Sequence, residues 1–187
     1  MNDPSVLREL PEDVFRPLQR VEFQAMVEHG LFDGTRVELV GGVLVEMSPQ
    51  GQAHVWMIIR LNKLLLSTLG DDWDVGVQTP LAIDDISLPE PDFSVLAPGQ
   101  LGYPQAAALV IEVSVSSLAF DLGVKAGRYA AGGYPEYWVV DIESSRIHVH
   151  REPSAEGWGH IEIVTEGTLD AAVVPGLHID VPGLFDR

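Results

Sequence analysis

The chain has 187 residues, 46% of them apolar and 21% charged, which fits one globular domain with a buried core and excludes wholesale disorder. Its 28 acidic residues outnumber 11 Lys and Arg, a formal charge of −17, and this excludes a general basic nucleic-acid coat protein. There is no cysteine, so disulfides, thiolate nucleophiles, Cys-based zinc sites and iron–sulfur clusters are excluded as well.

Residues 1–16, with Pro4 and Pro11, read as a flexible leader ahead of a single domain at 17–187. The leader lacks the basic start and apolar middle of a signal peptide. No apolar run reaches the roughly 18 residues of a membrane span. The expectation is a soluble cytoplasmic protein. From Pro17 to Gly30, the spacing of Leu18, Val21, Phe23, Met26 and Val27 predicts a helix. Two β runs, Thr35 to Val40 and Val43 to Met47, meet at Gly41-Gly42, a hairpin signal. Residues 52–69 give the strongest helical pattern, with a broad apolar face closed by Gly70. Strands follow at Trp73 to Ile83, Phe93 to Leu96 and Ala108 to Ser114. The last belongs to a near-continuous apolar run, as expected of a strand covered on both faces. Residues 117–131 read as a helix, Tyr137 to Ile142 and Arg146 to His150 as a strand pair, and residues 158–183 as short closing strands. The order predicts an α/β or mixed α+β domain, a central mixed sheet flanked by helices.

Four charged residues interrupt apolar contexts. Glu112 lies between Ile111 and Val113, and a carboxylate on a buried strand is costly unless it is paired, protonated or bound to a cation. Its ordinary explanation is a strand-end acid with its head in water. Asp92 follows Pro91 at a strand mouth, where a turn aspartate is also common. An antiparallel turn around residues 97–107 brings Asp92 and Glu112 to the same end, a hard-oxygen pair suited to Mg²⁺ or Mn²⁺. Lys125 falls on the stripe Leu118, Leu122, Lys125 and Tyr129, which faces the sheet. It either snorkels, pairs with Asp121 one turn earlier, or reaches the two acids. Glu38 sits in Arg36-Val37-Glu38-Leu39-Val40, either facing solvent on an edge strand or joining the other acids.

Pro91-Asp92, Glu112-Val113-Ser114 and the later Asp121 and Lys125 resemble a PD-(D/E)XK nuclease core. The wider text is similar to the Uma-type restriction-endonuclease family of bacterial proteins. It includes Phe32 to Gly42, His54, Val110 to Ser114, Asp121-x-x-x-Lys125-x-x-x-Tyr129 and Gly133 to Asp141, over roughly residues 17 to 184. The resemblance implies a restriction-endonuclease-like core and hydrolysis of phosphodiester bonds, with DNA the expected substrate. It implies Asp92, Glu112 and the Val113 backbone carbonyl as ligands of Mg²⁺ or Mn²⁺. Lys125 and Glu38 complete the catalytic set. Where the superfamily places its lysine, two residues after the Glu, this chain has Ser114, so Lys125 stands in as a migrated lysine. His54 is either a phosphate contact, a general acid or base, or a polar residue near a helix start. A homodimer is compatible with the scaffold, since double-strand cleavage needs two sites. Two other classes stay open: a non-catalytic interaction module on the nuclease scaffold, and, ranked last, a carboxylate-pair glycosidase.

Overall fold

The computed structural model describes residues 15–186, so residues 1–14 of the expected leader lie outside the described residues. Helix α1 (Arg20–Glu28) follows Gln19, which caps it reciprocally with Glu22, and the chain leaves it through Gly30 at φ 72°. Strands β1 (Val37–Val40) and β2 (Val43–Glu46) form the expected hairpin. Gly41 and Gly42 both have positive φ there, and a Cβ on Gly42 would strike Pro17. Helix α2 (Gln52–Leu69) spans the predicted residues and ends at Gly70, φ 55°.

Strand β3 (Asp74–Val77) stops six residues before the predicted Ile83. Gln78 turns the chain at φ 49° and Pro80 cannot continue a ladder, so the segment folds back instead. Ala82 and Leu88 are then buried with Leu39 beneath the hairpin, Leu81 joins the core around Val110, and Leu88 exchanges backbone hydrogen bonds with Leu39. Strands β4 (Phe93–Leu96) and β5 (Leu109–Ser114) are buried along their whole length.

The predicted helix at 117–131 is α3, made of a short α-turn (Leu118–Phe120), a π-turn (Asp121–Lys125) and a regular α segment (Ala126–Ala131). The π-turn is the departure from expectation. It inserts a wider turn immediately before Lys125 and changes the side on which that residue emerges. Strands β6 (Glu136–Asp141), β7 (Arg146–Ser154) and β8 (Gly157–Val164) complete the sheet. A short antiparallel pair, β9 (Thr168–Asp170) and β10 (His178–Asp180), leads into α4 (Val181–Phe185). That closing helix was not expected, although Pro182 in its first turn is a helix-start signal.

The six-stranded sheet has the order β3-β4-β5-β6-β7-β8 and is antiparallel except between β5 and β6, which α3 connects as a crossover. Side chains of β5 alternate between two cores. Ile111 and Val113 pack with Met57, Leu61 and Leu65 of α2 on one face, whereas Val110 packs with Ala126 and Tyr129 of α3 on the other. Glu112 shares the face of Val110 and is thereby aimed at α3. The mixed sheet with helices on both faces is the architecture expected from the sequence.

Candidate active site

Strands β4 and β5 pair with Phe93 opposite Ile111. Carrying that antiparallel register one step further sets Asp92 across from Glu112, on the same face of the sheet. Both are buried, as are Glu38 and Lys125. This removes the strand-end explanation of Glu112 and the solvent-facing explanation of Glu38. All four line one cleft of about 370 Å³.

The ammonium of Lys125 donates to Glu112 Oε1 at 2.9 Å and lies 3.2 Å from Glu38 Oε2. It neither snorkels nor forms its ion pair with Asp121. Glu38 is held by the backbone N–H of Glu90, which donates to its Oε2 at 3.0 Å and so links the hairpin to the segment entering β4. Asp92 Oδ2 accepts the Val113 backbone N–H at 2.9 Å and lies 3.1 Å from His54 Nε2. The Gln78 amide donates to Asp92 Oδ1 at 3.3 Å. Asp92 is thus gripped by β5, by the first turn of α2 and by the bend after β3.

Burial pushes the Glu112 carboxyl well above its usual range; Lys125 opposes that shift, while Asp121, Asp92 and Glu38 reinforce it. Burial alone would lower the Lys125 pKa. Glu112, then Glu38 and Asp121, outweigh it and hold the ammonium protonated above its ordinary value. Burial also raises the Tyr129 phenol, whose hydroxyl stands 3.5 Å from Glu112 Oε1 and keeps its proton.

Among the described residues no group of three or more His, Asp or Glu side chains is arranged to hold a metal ion by itself. The donors present nevertheless fit a hard divalent ion. Glu112 uses only Oε1 toward Lys125 and Tyr129, so among the described residues Oε2 has no hydrogen-bond donor. Glu38, Asp92 and Glu112 line the cleft with one lysine, an excess of negative charge there. Asp92, Glu112 and the adjacent Val113 backbone are oxygen donors of the kind Mg²⁺ takes while keeping several waters.

Three further residues support this set: His54 and Asp121 belong to the motifs of the sequence, whereas Gln78 has no sequence signal. Gln78 reaches Asp92 from a left-handed backbone conformation, an uncommon state for a residue with a Cβ. His54 contacts Asp92 through Nε2, whereas its Nδ1 is buried without a partner among the described residues. Asp121 is buried behind Lys125 and accepts hydrogen bonds from the hydroxyls of Ser114 and Ser117. Its carbonyl accepts both the Ala126 N–H that closes the π-turn and the Tyr137 hydroxyl at 3.0 Å. The spacing Ser117-x-x-x-Asp121 was the available clue. Ser114 thus anchors the helix that brings Lys125 in.

A mixed sheet carrying acids at the mouths of two central strands, with a lysine reaching over from the crossover helix, defines a nuclease-like α/β core. The model of the Uma2 family, described as "Putative restriction endonuclease", matches residues 20–182, and the chain belongs to that family. No curated protein matches the chain. Among solved structures it is similar to the crystal structure of "a putative nuclease belonging to DUF820" from Anabaena variabilis ATCC 29413. That likeness has a TM-score of 0.71 at 16% identity, covering 90% of this chain and 98% of the other, and it shows the shared fold. No helix among the described residues is long and apolar enough to cross a membrane.

Proposed function

We propose that the chain is a divalent-metal-dependent nuclease that hydrolyses phosphodiester bonds of nucleic acid, DNA foremost, at the Asp92–Glu112–Lys125 cleft. The observation that carries this reading is the convergence of two buried carboxylates, Glu38 and Glu112, on the buried Lys125 ammonium, with the buried Asp92 lining the same open cleft. Mg²⁺ or Mn²⁺, held by Asp92, Glu112 and the Val113 carbonyl, would supply Lewis-acid polarisation of the phosphoryl oxygen and acidify water.

The chain's own residues supply the rest. Lys125, kept protonated by Glu112 and Glu38, places a fixed positive charge where a non-bridging phosphoryl oxygen gains charge. Glu38 sets the direction of that ammonium. His54, Gln78 and the Val113 N–H restrain Asp92 in one rotamer, so the donor set is preorganised. Water adds to phosphorus as the bond to the 3′ oxygen breaks, leaving a 5′-phosphate and a 3′-hydroxyl.

The test is a panel of DNA and RNA oligonucleotides with Mg²⁺ or Mn²⁺. Cleavage by the wild type that disappears in Asp92→Ala supports the reading. A second reading, a non-catalytic module, is favoured by Lys125 neutralising its neighbours internally. Calorimetry with Mn²⁺ separates the two, because a module shows no divalent binding that Asp92→Ala removes.

A further inference from the structure

The described residues include nine Lys and Arg, and seven of them lie within 4.0 Å of a carboxylate. The two without such a partner among the described residues are Arg60 and Lys63, neighbours on α2. That helix contains no Asp or Glu in its 18 residues, although acids dominate the rest of the chain.

We propose that the outer side of α2 is a docking track for a single strand of nucleic acid entering or leaving the cleft. The proposal rests on the nuclease reading above. Trp56, Arg60, Lys63 and Ser67 are spaced four, three and four residues apart, which places them on one stripe. They line a groove of about 620 Å³. The stripe begins at Trp56, two residues and about half a turn after His54, a wall of the cleft, and Lys63 lies roughly 14 Å along the helix axis from His54.

Arg60 is held ready. Its guanidinium lies 5.1 Å from the Trp56 ring centre and donates to the Gly183 and Asp186 carbonyls, contacts that fix its position without cancelling its charge. Lys63 is exposed. Beside the two cations, Ile59 is 65% and Leu66 54% exposed, apolar surface of the kind unstacked bases cover and a duplex does not offer. Asp71 and Asp72 at the far end of α2, and Asp180 on the opposite wall, confine the favourable potential to this short track.

The test is fluorescence anisotropy on the full chain without divalent ions, with a labelled single-stranded oligonucleotide, its duplex and a salt series. The single strand binds more tightly than the duplex. Lys63→Glu weakens single-strand binding about tenfold, and Lys63→Ala lowers the salt slope by about 1. Arg16→Glu makes the same change in net charge at a residue already paired with Glu22 and leaves affinity within about twofold. Equal weakening by the two reversals would reduce the effect to bulk charge and overturn the track. So would unaltered binding in Lys63→Glu alongside normal cleavage, which leaves the nuclease reading standing. A wild-type dimer that Lys63→Glu dissociates would assign the face to a second copy. Absence of both binding and cleavage with every nucleic acid would overturn the nuclease reading itself.

Discussion

Two glutamates are buried on neighbouring strands, Glu112 on β5 and Glu136 on β6, and their surroundings could hardly differ more. Glu136 Oε1 accepts from Trp138 Nε1 at 2.9 Å and Arg151 Nε at 2.8 Å, and its Oε2 accepts the Ala172 N–H at 2.8 Å. Those bonds tie β6 to β7 and to the segment after β9, and they engage both carboxylate oxygens. Glu112 shares one ammonium with Glu38, has one oxygen without a donor among the described residues, and lies near two further acids. Burial of a charge therefore does not distinguish a structural acid from a functional one. The distinction lies in whether the local charge is balanced by the protein or left in excess beside a cleft.

Neutralising each acid in turn separates the two roles. Glu112→Gln is expected to lower turnover by about 10²–10³-fold while the protein stays folded. Glu136→Gln is expected to leave the rate per folded molecule near that of the wild type. Its cost appears as stability, about 3 kcal/mol in urea unfolding, because the partners of a satisfied carboxylate are left buried. Loss of turnover in fully folded Glu136→Gln would erase the distinction.

A second variant tests the excess of charge. Lys125→Met leaves Glu38 and Glu112 buried together without their counter-charge. The expected loss is about 3 kcal/mol without divalent ions. Mn²⁺ should then raise the melting temperature of the variant more than that of the wild type, since ligands that bind the native state stabilise it. An equal shift in both proteins would show that Lys125 does not offset the negative charge an ion would meet.

Much of this site was legible in the sequence because it broke local patterns. Glu112 and Glu38 interrupt apolar strands, and Lys125 interrupts an apolar helix stripe. Each anomaly is resolved by the other two. The parts that were not legible involve no broken pattern. Gln78 is an ordinary polar residue in a loop, and only its backbone conformation and its bond to Asp92 make it notable. His54 near a helix start was equally well explained by solvent. The Tyr137 hydroxyl binds the Asp121 carbonyl of the π-turn from sixteen positions away, and helical periodicity carries no record of such a contact. The same limit explains β3: apolar residues recur past Val77, but the bend at Gln78 sends Ala82 into the core below the hairpin and Leu81 into the core around Val110.

The π-turn supports a third and smaller effect. Tyr137→Phe removes the hydroxyl that competes for the Asp121 carbonyl, so the helix can relax toward regular α geometry and turn Lys125 away from Glu112. The expected stability change is about 1 kcal/mol. Turnover should fall with little change in KM, since the side chain touches neither face of the cleft. A fall in KM and kcat together, or an unchanged rate, would leave the π-turn without a part in positioning Lys125.

The smallest effect concerns pH and again contrasts two regions of one sheet. On β7, burial depresses the pKa of His148 and His150 below the ordinary imidazole value of 6.5, with the Tyr137 carbonyl opposing the shift at His150 and Asp141 opposing it at His148. A depressed imidazole favours the folded state above that ordinary value, and the contribution is lost as pH falls through the depressed value. Glu112 acts in the other direction. Its raised pKa gives a contribution that is full below the ordinary carboxylate value of 4.5 and is lost as pH rises toward the raised one. Acidification from neutral pH therefore weakens the β7 region while it relieves the cleft, and the urea midpoint should fall only shallowly. Glu112→Gln removes the compensating half, so its midpoint should drop more steeply over the same range. Parallel pH profiles for the two proteins would mean that the cleft gains nothing from protonation, and that its negative charge is already balanced.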